Sequence, residues 1–283
     1  MTAAQDLPTG SILQGRYEIT SVLGAGGFGT VYQATQLATS RQVAIKVMQA
    51  FPDEDARKRD NRMARFRREM DLCARLHHPN IVDLVDSGET DDGRPFAAFQ
   101  YVPGKSLAQV LAQEGPLHPR EARHLMLQVL DALSCAHNLG VVHRDLKPAN
   151  IMVVSTGTRR NALVLDFGIG AIAEGARGDG YAKLTSQHEW LGTPHYTAPE
   201  QVRGYPPTPQ SDLYGWGLVY LECLTGKPAI EGSSMAVILM LQIGPDPVPM
   251  PPALRHHPLG RLLQRALIKE VEHRVATAST LLR

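Results

Sequence analysis

The chain has 283 residues and a formal net charge of +1, because 29 lysines and arginines are matched by 28 aspartates and glutamates. A hydrophobic fraction of 43% and a charged fraction of 20% are typical of a globular protein and exclude a disordered, collagen-like or coiled-coil chain. The balanced charge also argues against a dedicated nucleic-acid binder, which would carry a basic excess. The length suggests one large domain or two lobes.

The first hundred residues are predicted to form about five strands and one helix. The strand segments are residues 17–23, 31–35, 42–48, 81–86 and 96–102. Residues 42–48 alternate between apolar and polar side chains, which is typical of a half-buried strand. The helix is indicated by apolar residues at steps of three and four before Pro79, which would stop it: Met63, Phe66, Met70, Cys73 and Leu76. A turn at residues 91–93 would join the last two strands.

The pattern changes at Pro103-Gly104, after which long helical segments follow. These are residues 107–113, 119–139, 211–224, 235–242, 258–269 and, at the end, 279–283. Residues 244–258 carry six prolines and are interpreted as a surface loop inside the helical part. The predicted organisation is an N-terminal extension (residues 1–16), a small β-rich lobe (residues 17–102) and a larger helical lobe (residues 103–283).

Cysteine usage and the termini predict a soluble, cytoplasmic chain. The three cysteines have apolar neighbours and no spacing typical of a zinc site, which favours buried thiols in a reducing cytosol: Cys73, Cys135 and Cys223. The N-terminus shows no signal peptide. The most apolar stretch, residues 235–243, is nine residues long, whereas a membrane-spanning helix needs about 20.

A glycine cluster between the first two strands is the first chemical signal. Residues 23–31 read Leu-Gly-Ala-Gly-Gly-Phe-Gly-Thr-Val. The same glycine spacing opens dinucleotide-binding folds, but there the third glycine leads into a helix. Here Thr30, Val31 and Tyr32 return the chain to a strand. Such glycines let a hairpin close over phosphates with its N–H groups pointing inwards, although an ordinary glycine-rich turn is an alternative.

Lys46, at the centre of an apolar strand, is the second signal. A lysine in this position is costly to bury without a partner. Glu69 lies on the predicted helix one turn from Phe66 and can face the sheet, so we expect an ion pair between Lys46 and Glu69. The alternative is a surface pair of Glu69 with Arg65, which would contribute only about 0.3–0.5 kcal/mol.

Three later segments are the most specific. They are Val-His-Arg-Asp-Leu-Lys-Pro-Ala-Asn at residues 142–150, Leu-Asp-Phe-Gly at 165–168 and Ala-Pro-Glu at 198–200. With the glycine hairpin and Lys46, they resemble the motifs of eukaryotic-type protein kinases. The fit is best to bacterial Ser/Thr kinases and runs from about Tyr17 to Arg283. The resemblance implies an α+β, bilobal protein kinase fold with a small β-rich N-lobe and a larger helical C-lobe.

The resemblance also implies roles for single residues. Asp145 would accept or orient the proton of the substrate hydroxyl, and Lys147 would neutralise charge on the transferring phosphoryl group. Lys46, held by Glu69, would bind the α- and β-phosphates.

The implied cofactors are ATP and Mg²⁺ or Mn²⁺. Asn150 and Asp166 would offer oxygen ligands to the metal. The ATP site would have three parts. Leu23, Val31, Ala44 and Met152 would sandwich adenine, and backbone groups of Gln100 and Val102, in the connector between the two lobes, would bind its edge. The phosphates would be bound by Lys46 and by the glycine hairpin, which contains Gly24, Ala25, Gly26, Gly27, Phe28 and Gly29.

Further residues are expected to hold the helical lobe together. Arg274 would pair with Glu200, and Asp212 would bind the backbone of the catalytic loop, the segment that contains Asp145.

A basic run before Glu69 is interpreted as a solvated helix face, with a docking site for a phosphorylated segment as the alternative: Arg57, Lys58, Arg59, Arg62, Arg65, Arg67 and Arg68.

The sequence therefore predicts a kinase that transfers the γ-phosphate of MgATP to Ser or Thr hydroxyls of protein substrates. Lys147 and Thr193 match the Ser/Thr branch. The alternatives are a pseudokinase, which usually lacks a catalytic residue, and a small-molecule phosphotransferase, which lacks the glycine hairpin and the Ala-Pro-Glu segment. Bacterial relatives often continue into a membrane helix and a sensor domain, so the chain is expected to act in the cytoplasm alone or as part of an anchored receptor.

Regulation is expected in the segment between Asp166 and Glu200. A phosphate on Thr185 or Ser186 would add about −1.5 to −2 charge and could bind Arg144. Autophosphorylation within a transient homodimer would supply it. Thr193 is expected to hold Asp145 and Lys147 instead.

Overall fold

The computed structural model describes residues 7–26, 29–49, 56–167 and 194–282. Among these residues the first part of the chain forms an antiparallel sheet with the strand order β1-β2-β3-β4-β6-β5. Its strands are β1 (Ile12–Leu13), β2 (Tyr17–Gly26), β3 (Gly29–Gln36), β4 (Arg41–Met48), β5 (Leu84–Glu89) and β6 (Pro95–Gln100). The five predicted strands are confirmed, whereas β1, with two residues, is too short to produce a periodic pattern.

One predicted strand is shifted along the chain. β5 begins at Leu84, and Ile81 instead forms an isolated parallel bridge with Val164 in the second lobe. The N–H of Val82 also donates to the carbonyl group of Val164, at 3.1 Å. Residues 81–82 therefore link the two lobes before the chain enters the larger sheet.

Helix α1 (Ala56–Cys73) covers one face of this sheet. It buries four side chains at the predicted three- and four-residue steps: Met63, Phe66, Met70 and Cys73. The helix ends at Cys73, so Pro79 does not terminate it, and the buried Leu76 lies beyond its last turn.

The basic run on α1 is only in part a solvated face. Exposed side chains in the run include Arg65, Arg67 and Arg68. Arg62, however, is buried, and Arg59 donates to Glu89 Oε1 of β5 at 2.8 Å. Part of the run therefore stabilises the packing of α1 beside the sheet.

The second lobe is built mainly of helices. They are α2 (Leu107–Glu114), α3 (Pro119–Asn138), α4 (Pro199–Val202), α5 (Pro209–Thr225), α6 (Met235–Ile243), α7 (Pro258–Ala266) and α8 (Ala278–Leu282). All the predicted helices are confirmed, with ends that differ by three residues or fewer. The four-residue α4 is too short to predict from periodicity.

Helix α5 forms the centre of this lobe, because residues 211–223 are all buried. Trp216 donates its indole N–H to the carbonyl group of Met126 in α3, at 2.8 Å. Gly215 faces the catalytic loop, where an added Cβ would lie 3.2 Å from the carbonyl oxygen of Leu146. The absence of a side chain at Gly215 thus permits close contact between α5 and this loop.

A small second sheet, which is not among the predicted elements, lies beside the catalytic loop. Its strands are β7 (Lys105–Ser106), β8 (Ile151–Thr156) and β9 (Arg159–Val164), antiparallel and in that order. The β8–β9 hairpin begins directly after Asn150 and ends shortly before Asp166. Because Leu165 N–H also donates to Asn150 O at 2.9 Å, the hairpin brings Asn150 and Asp166 to the same end of the sheet.

The apolar and proline-rich segments that stand out in the sequence both belong to the second lobe. The apolar segment is the nine-residue α6. Residues 244–258 form the predicted loop, with a 3₁₀ turn at Pro252–Leu254 and a buried Val248. Across the described part of the chain, no helix is both long enough and apolar enough to cross a membrane.

Candidate active site

Asp212 of α5 binds the backbone of the catalytic loop, which lies between α3 and β8. Its two carboxylate oxygens accept hydrogen bonds from the backbone N–H groups of His143 and Arg144, each at 2.8 Å. This confirms the predicted role of Asp212. Arg144 has φ +75°, a left-handed conformation that costs a non-glycine residue about 1–3 kcal/mol. The bond to Asp212 stabilises that conformation.

Three predicted site residues converge within this loop. Lys147 Nζ lies 2.7 Å from Asp145 Oδ2. Asn150 Nδ2 donates to the backbone oxygen of Asp145 at 2.8 Å and to its Oδ2 at 3.3 Å. The Asp145 side chain is still 41% exposed. The carboxylate is therefore oriented by two neighbours and remains open to a molecule that approaches from solvent.

Lys46 of β4 has a different partner from the predicted one. Its Nζ lies 2.7 Å from Asp166 Oδ2, whereas Glu69 is the partner predicted from the sequence. Burial alone would raise the pKa of Asp166, but the charge and hydrogen bond of Lys46, with smaller contributions from His143 and Lys147, lower it overall. Asp166 is therefore a carboxylate at neutral pH.

Glu69 of α1 faces the catalytic loop. Its Oε1 lies 3.9 Å from Arg144 Nη2. The predicted partner of Glu69 is Lys46, whereas in the structure Arg144 lies beside Glu69 and Lys46 pairs with Asp166. Sequence patterns could not reveal this exchange, because it depends on how α1 lies across the sheet relative to the second lobe.

Two residues outside the predicted set hold the segment after β9. The His143 ring donates through Nε2 to Leu165 O at 2.8 Å and packs edge-on against Phe167, with ring centroids 4.9 Å apart. Cys73 Sγ donates to Phe167 O at 3.0 Å. Burial, followed by the charges of Glu69 and Asp166, raises the pKa of Cys73 to about 12, so this thiol is a structural donor and not a nucleophile.

The glycine hairpin is described on both sides of its tip, while Gly27 and Phe28 lie outside the described residues. Gly29 has φ +136°, and an added Cβ would lie 2.0 Å from Val47 O. The backbone can adopt this close approach only with glycine. At Gly24 and Gly26 an added Cβ would meet nothing within 4 Å, so these glycines border open space.

The residues predicted to contact adenine are distributed over both sheets. Val31 pairs with Lys46 across β3 and β4, and Ala44 projects from β4 on the same side as Lys46. Leu23 is 46% exposed on β2, and Met152 is half-buried on β8.

Gln100 lies in the connector between the two lobes, and only part of its backbone is available to bind adenine. The N–H of Gln100 already donates to Asp83 O at 3.0 Å. Of the two backbone groups of Gln100, only the carbonyl group is therefore left to contact adenine. Val102 lies half-buried in the same connector.

The segment from residue 194 onward is fixed to the second lobe. Arg274 binds both carboxylate oxygens of Glu200, at 2.7 and 3.0 Å, which confirms the predicted pair. Gln201 Nε2 donates to Arg144 O at 2.8 Å and so joins α4 to the catalytic loop. Three of the predicted regulatory residues lie outside the described residues: Thr185, Ser186 and Thr193.

Together these features define a class of protein. A glycine hairpin, a strand lysine paired with an aspartate, and a loop that presents an oriented carboxylate form a phosphotransferase site between a β-rich lobe and a helical lobe. The protein kinase domain family matches residues 17–281, and the chain belongs to this family.

The chain is similar to several bacterial serine/threonine-protein kinases. It is 38% identical to the serine/threonine-protein kinase pkn3 of Myxococcus xanthus, over 98% of this chain and 50% of that protein. It is 36% identical to PrkC of Bacillus subtilis, over 95% and 40%, and 36% identical to PknB of Mycobacterium tuberculosis, over 96% and 43%. The chain thus spans half or less of the length of these relatives.

Proposed function

We propose that this chain transfers the γ-phosphate of MgATP to Ser or Thr hydroxyl groups of proteins. The observation that carries the proposal is the Asp145 carboxylate, held by Lys147 and Asn150 and yet exposed. Phosphoryl transfer needs positioning and charge neutralisation more than covalent chemistry, and this constellation supplies both.

In the proposed reaction Asp145 orients the acceptor hydroxyl and takes up its proton. Lys147 and Asn150 both bind Oδ2, so Oδ1 is the oxygen left for the hydroxyl group. A general base must lie within hydrogen-bond reach of the proton that it removes, and the open side of Asp145 allows this. Lys147, on the other oxygen, stays close enough to neutralise charge on the phosphoryl group in transit.

The residues present fit a hard divalent cation such as Mg²⁺ or Mn²⁺. Asn150 turns its Nδ2 towards Asp145, which directs the amide oxygen away from that residue. Asp166 adds a carboxylate at the same end of the β8–β9 hairpin. Mg²⁺ prefers oxygen ligands and binds through few protein groups plus phosphates. The metal, when bound, would neutralise phosphate charge, while Lys46 would turn from Asp166 to the α- and β-phosphates.

The proposal extends to the surroundings of the reaction. Leu23, Val31, Ala44 and Met152 would enclose adenine, with the Gln100 carbonyl and the Val102 backbone at its edge. Protein substrates are the partners, and a transient homodimer would permit autophosphorylation at Thr185 or Ser186. ATP as substrate and the free thiols of the cysteines support a cytoplasmic location.

Asp145→Asn tests the catalytic assignment. The variant should bind ATP as the wild type does, because Asp145 faces the acceptor, but lose about 10²–10⁴-fold in transfer to a protein substrate. Transfer measured with labelled ATP, together with ATP affinity by titration, gives both quantities.

Asp131→Asn is the matched control, since Asp131 is an exposed aspartate of α3 whose carboxylate lies 3.2 Å from His78 Nε2. It should keep wild-type turnover. Ordinary turnover by Asp145→Asn would overturn the assignment. ATP binding without any transfer by the wild type would favour a pseudokinase. Transfer to small molecules alone would favour a small-molecule phosphotransferase.

A further inference from the structure

Gln242 is a fully buried polar side chain on an otherwise apolar helix. It lies on α6 with 0% exposure and makes three hydrogen bonds. Its Nε2 donates to the carbonyl oxygens of Pro194 and His195, both at 3.0 Å, and its Oε1 accepts from the Tyr214 hydroxyl group at 2.7 Å. Burial of an amide is costly unless it is bonded, so these bonds specify where α6 lies against its neighbours.

The carbonyl groups that Gln242 binds belong to a turn beside the catalytic loop. This turn, Pro194–Tyr196, is a 3₁₀ helix. An added Cβ on Gly215 would lie 3.2 Å from Leu146 O and 3.6 Å from Tyr196 O, so the turn and the residue after Asp145 approach the same point on α5. A protein that presents a hydroxyl group to Asp145 therefore passes next to the turn.

The same network anchors the other end of this segment. The Arg274 guanidinium lies 4.8 Å from the ring centre of Tyr214, and Arg274 also binds Glu200. Tyr214 thus connects the bond at Glu200 with the bonds of Gln242 at the turn. Residues 194–200 are fixed at both ends by a single buried set of polar groups.

We propose that Gln242 is a positioning residue for the protein acceptor. Through the Pro194–Tyr196 turn it fixes one wall of the acceptor site, and its three hydrogen bonds go to Pro194, His195 and Tyr214, none of them a predicted ATP residue. The inference rests on the proposed kinase function and adds the residue that sets the affinity for the protein substrate. Loss of its two donated bonds should raise the KM for protein while the KM for ATP stays unchanged.

Gln242→Met is the primary test, because methionine keeps a similar volume without donors or a buried charge. We expect the KM for a protein substrate to rise on the order of tenfold, with the KM for ATP and ATP hydrolysis without acceptor within about twofold of wild type. Tyr214→Phe removes only the hydroxyl group that orients the amide and should shift the same KM in the same direction, by less.

Gln128→Met is the matched control. Gln128 is a half-buried glutamine of α3 whose amide binds Ala162 N–H and Asn161, far along the chain from the turn. It should lower stability without a change in the KM for protein. Hydrogen exchange at the amides of Tyr196 and Thr197 gives a readout that does not need turnover, and faster exchange in Gln242→Met is expected.

The outcomes separate the two proposals. If the wild type transfers no phosphate, the proposed function fails, and the exchange rates at residues 196–197 still test the positioning role. An unchanged KM for protein in folded Gln242→Met, equal shifts in the KM for ATP and for protein, or unchanged exchange at the turn would each overturn the inference. If Gln242→Met does not fold, Tyr214→Phe decides by the same measurements.

Discussion

Lys46 places a positive charge between Ile45 and Val47, both buried, and its own side chain is 12% exposed. The ion pair with Asp166 offsets the cost of this burial. We expect Lys46→Met to keep the fold but to reduce phosphoryl transfer by about 10²–10³-fold, because a cation fixed near the phosphates is lost. Initial rates at saturating MgATP and circular dichroism measure the two effects.

Lys227→Met is the matched control for this substitution. Lys227 is exposed just after the C-terminal end of α5, at the opposite end of this helix from Asp212, so the variant should transfer phosphate at the wild-type rate. Wild-type turnover by Lys46→Met would mean that the lysine of β4 does not help to hold the phosphates.

Gly29 offers a second test on a single residue. We expect Gly29→Ala to lower the free energy of unfolding by about 1–3 kcal/mol, because alanine is strained at its positive φ and its Cβ would clash with Val47 O. ATP affinity should fall as well, since the hairpin must shift. Gly26→Ala, where the added Cβ meets nothing within 4 Å, should change stability far less. Equal stability of the two variants in urea unfolding would contradict this account.

The hydrogen-bond and ion-pair partners of single residues could be predicted only where both partners belong to a recognisable family pattern. Glu200 with Arg274 and Asp212 with the loop backbone follow from the resemblance to kinases. The partner of Lys46 does not, because Asp166 lies 120 residues away and both it and Glu69 are acidic residues near the same strand. Gln242 gives no signal in the sequence, since a lone glutamine in an apolar helix looks like a solvated position.

At the scale of elements, the Glu200–Arg274 pair ties α4 to the end of the chain. Both side chains are buried, so Glu200→Gln would leave the Arg274 charge without its partner. We expect a loss of about 3–5 kcal/mol in the free energy of unfolding at pH 7, measured by urea unfolding. Glu114→Gln, which alters an exposed pair with Arg160, should cost no more than about 1 kcal/mol.

The effect of Glu200→Gln should depend on pH. Burial acts to raise the pKa of Glu200, but the hydrogen bond and charge of Arg274 and the hydrogen bond from Ser211 lower it below its ordinary value. A carboxyl group with a lowered pKa stabilises the fold above its unfolded value of about 4.3 and loses this contribution as the pH falls further. The difference between wild type and variant should therefore shrink below about pH 4.3, and a constant difference would refute the linkage.

Helices and strands could be predicted where the apolar pattern repeats over enough residues to be recognised. The alternation in β4 and the three- and four-residue steps in α1 appear directly in the sequence. The strands β8 and β9 were missed because they lie among helical segments and are six residues each. Without that hairpin, the sequence could not show how Asn150 and Asp166 meet.

At the scale of the whole molecule, the contacts that join the two lobes at the site include three made by side chains of described residues. They are Lys46 with Asp166 at 2.7 Å, Cys73 with Phe167 O at 3.0 Å and Glu69 with Arg144 at 3.9 Å. Two of the three begin on α1. The position of α1 is thus linked to the segment after β9 through the Cys73 thiol and to the catalytic loop through the long ion pair of Glu69 with Arg144, and the long pair is the weaker link.

The last prediction concerns Arg144, which faces Glu69 at 3.9 Å. A phosphate on Thr185 or Ser186 carries about −1.5 to −2 charge and forms stronger, charge-assisted bonds to a guanidinium than a single carboxylate at that distance. It should compete with Glu69 for Arg144 and order the catalytic loop for transfer. We expect mass spectrometry after incubation with MgATP to find phosphate between residues 183 and 190, and the double variant Thr185→Ala, Ser186→Ala to lose several-fold in activity, whereas Thr280→Ala, in the last helix, should not. Full activity of the double variant and an unphosphorylated segment would show that this switch does not exist.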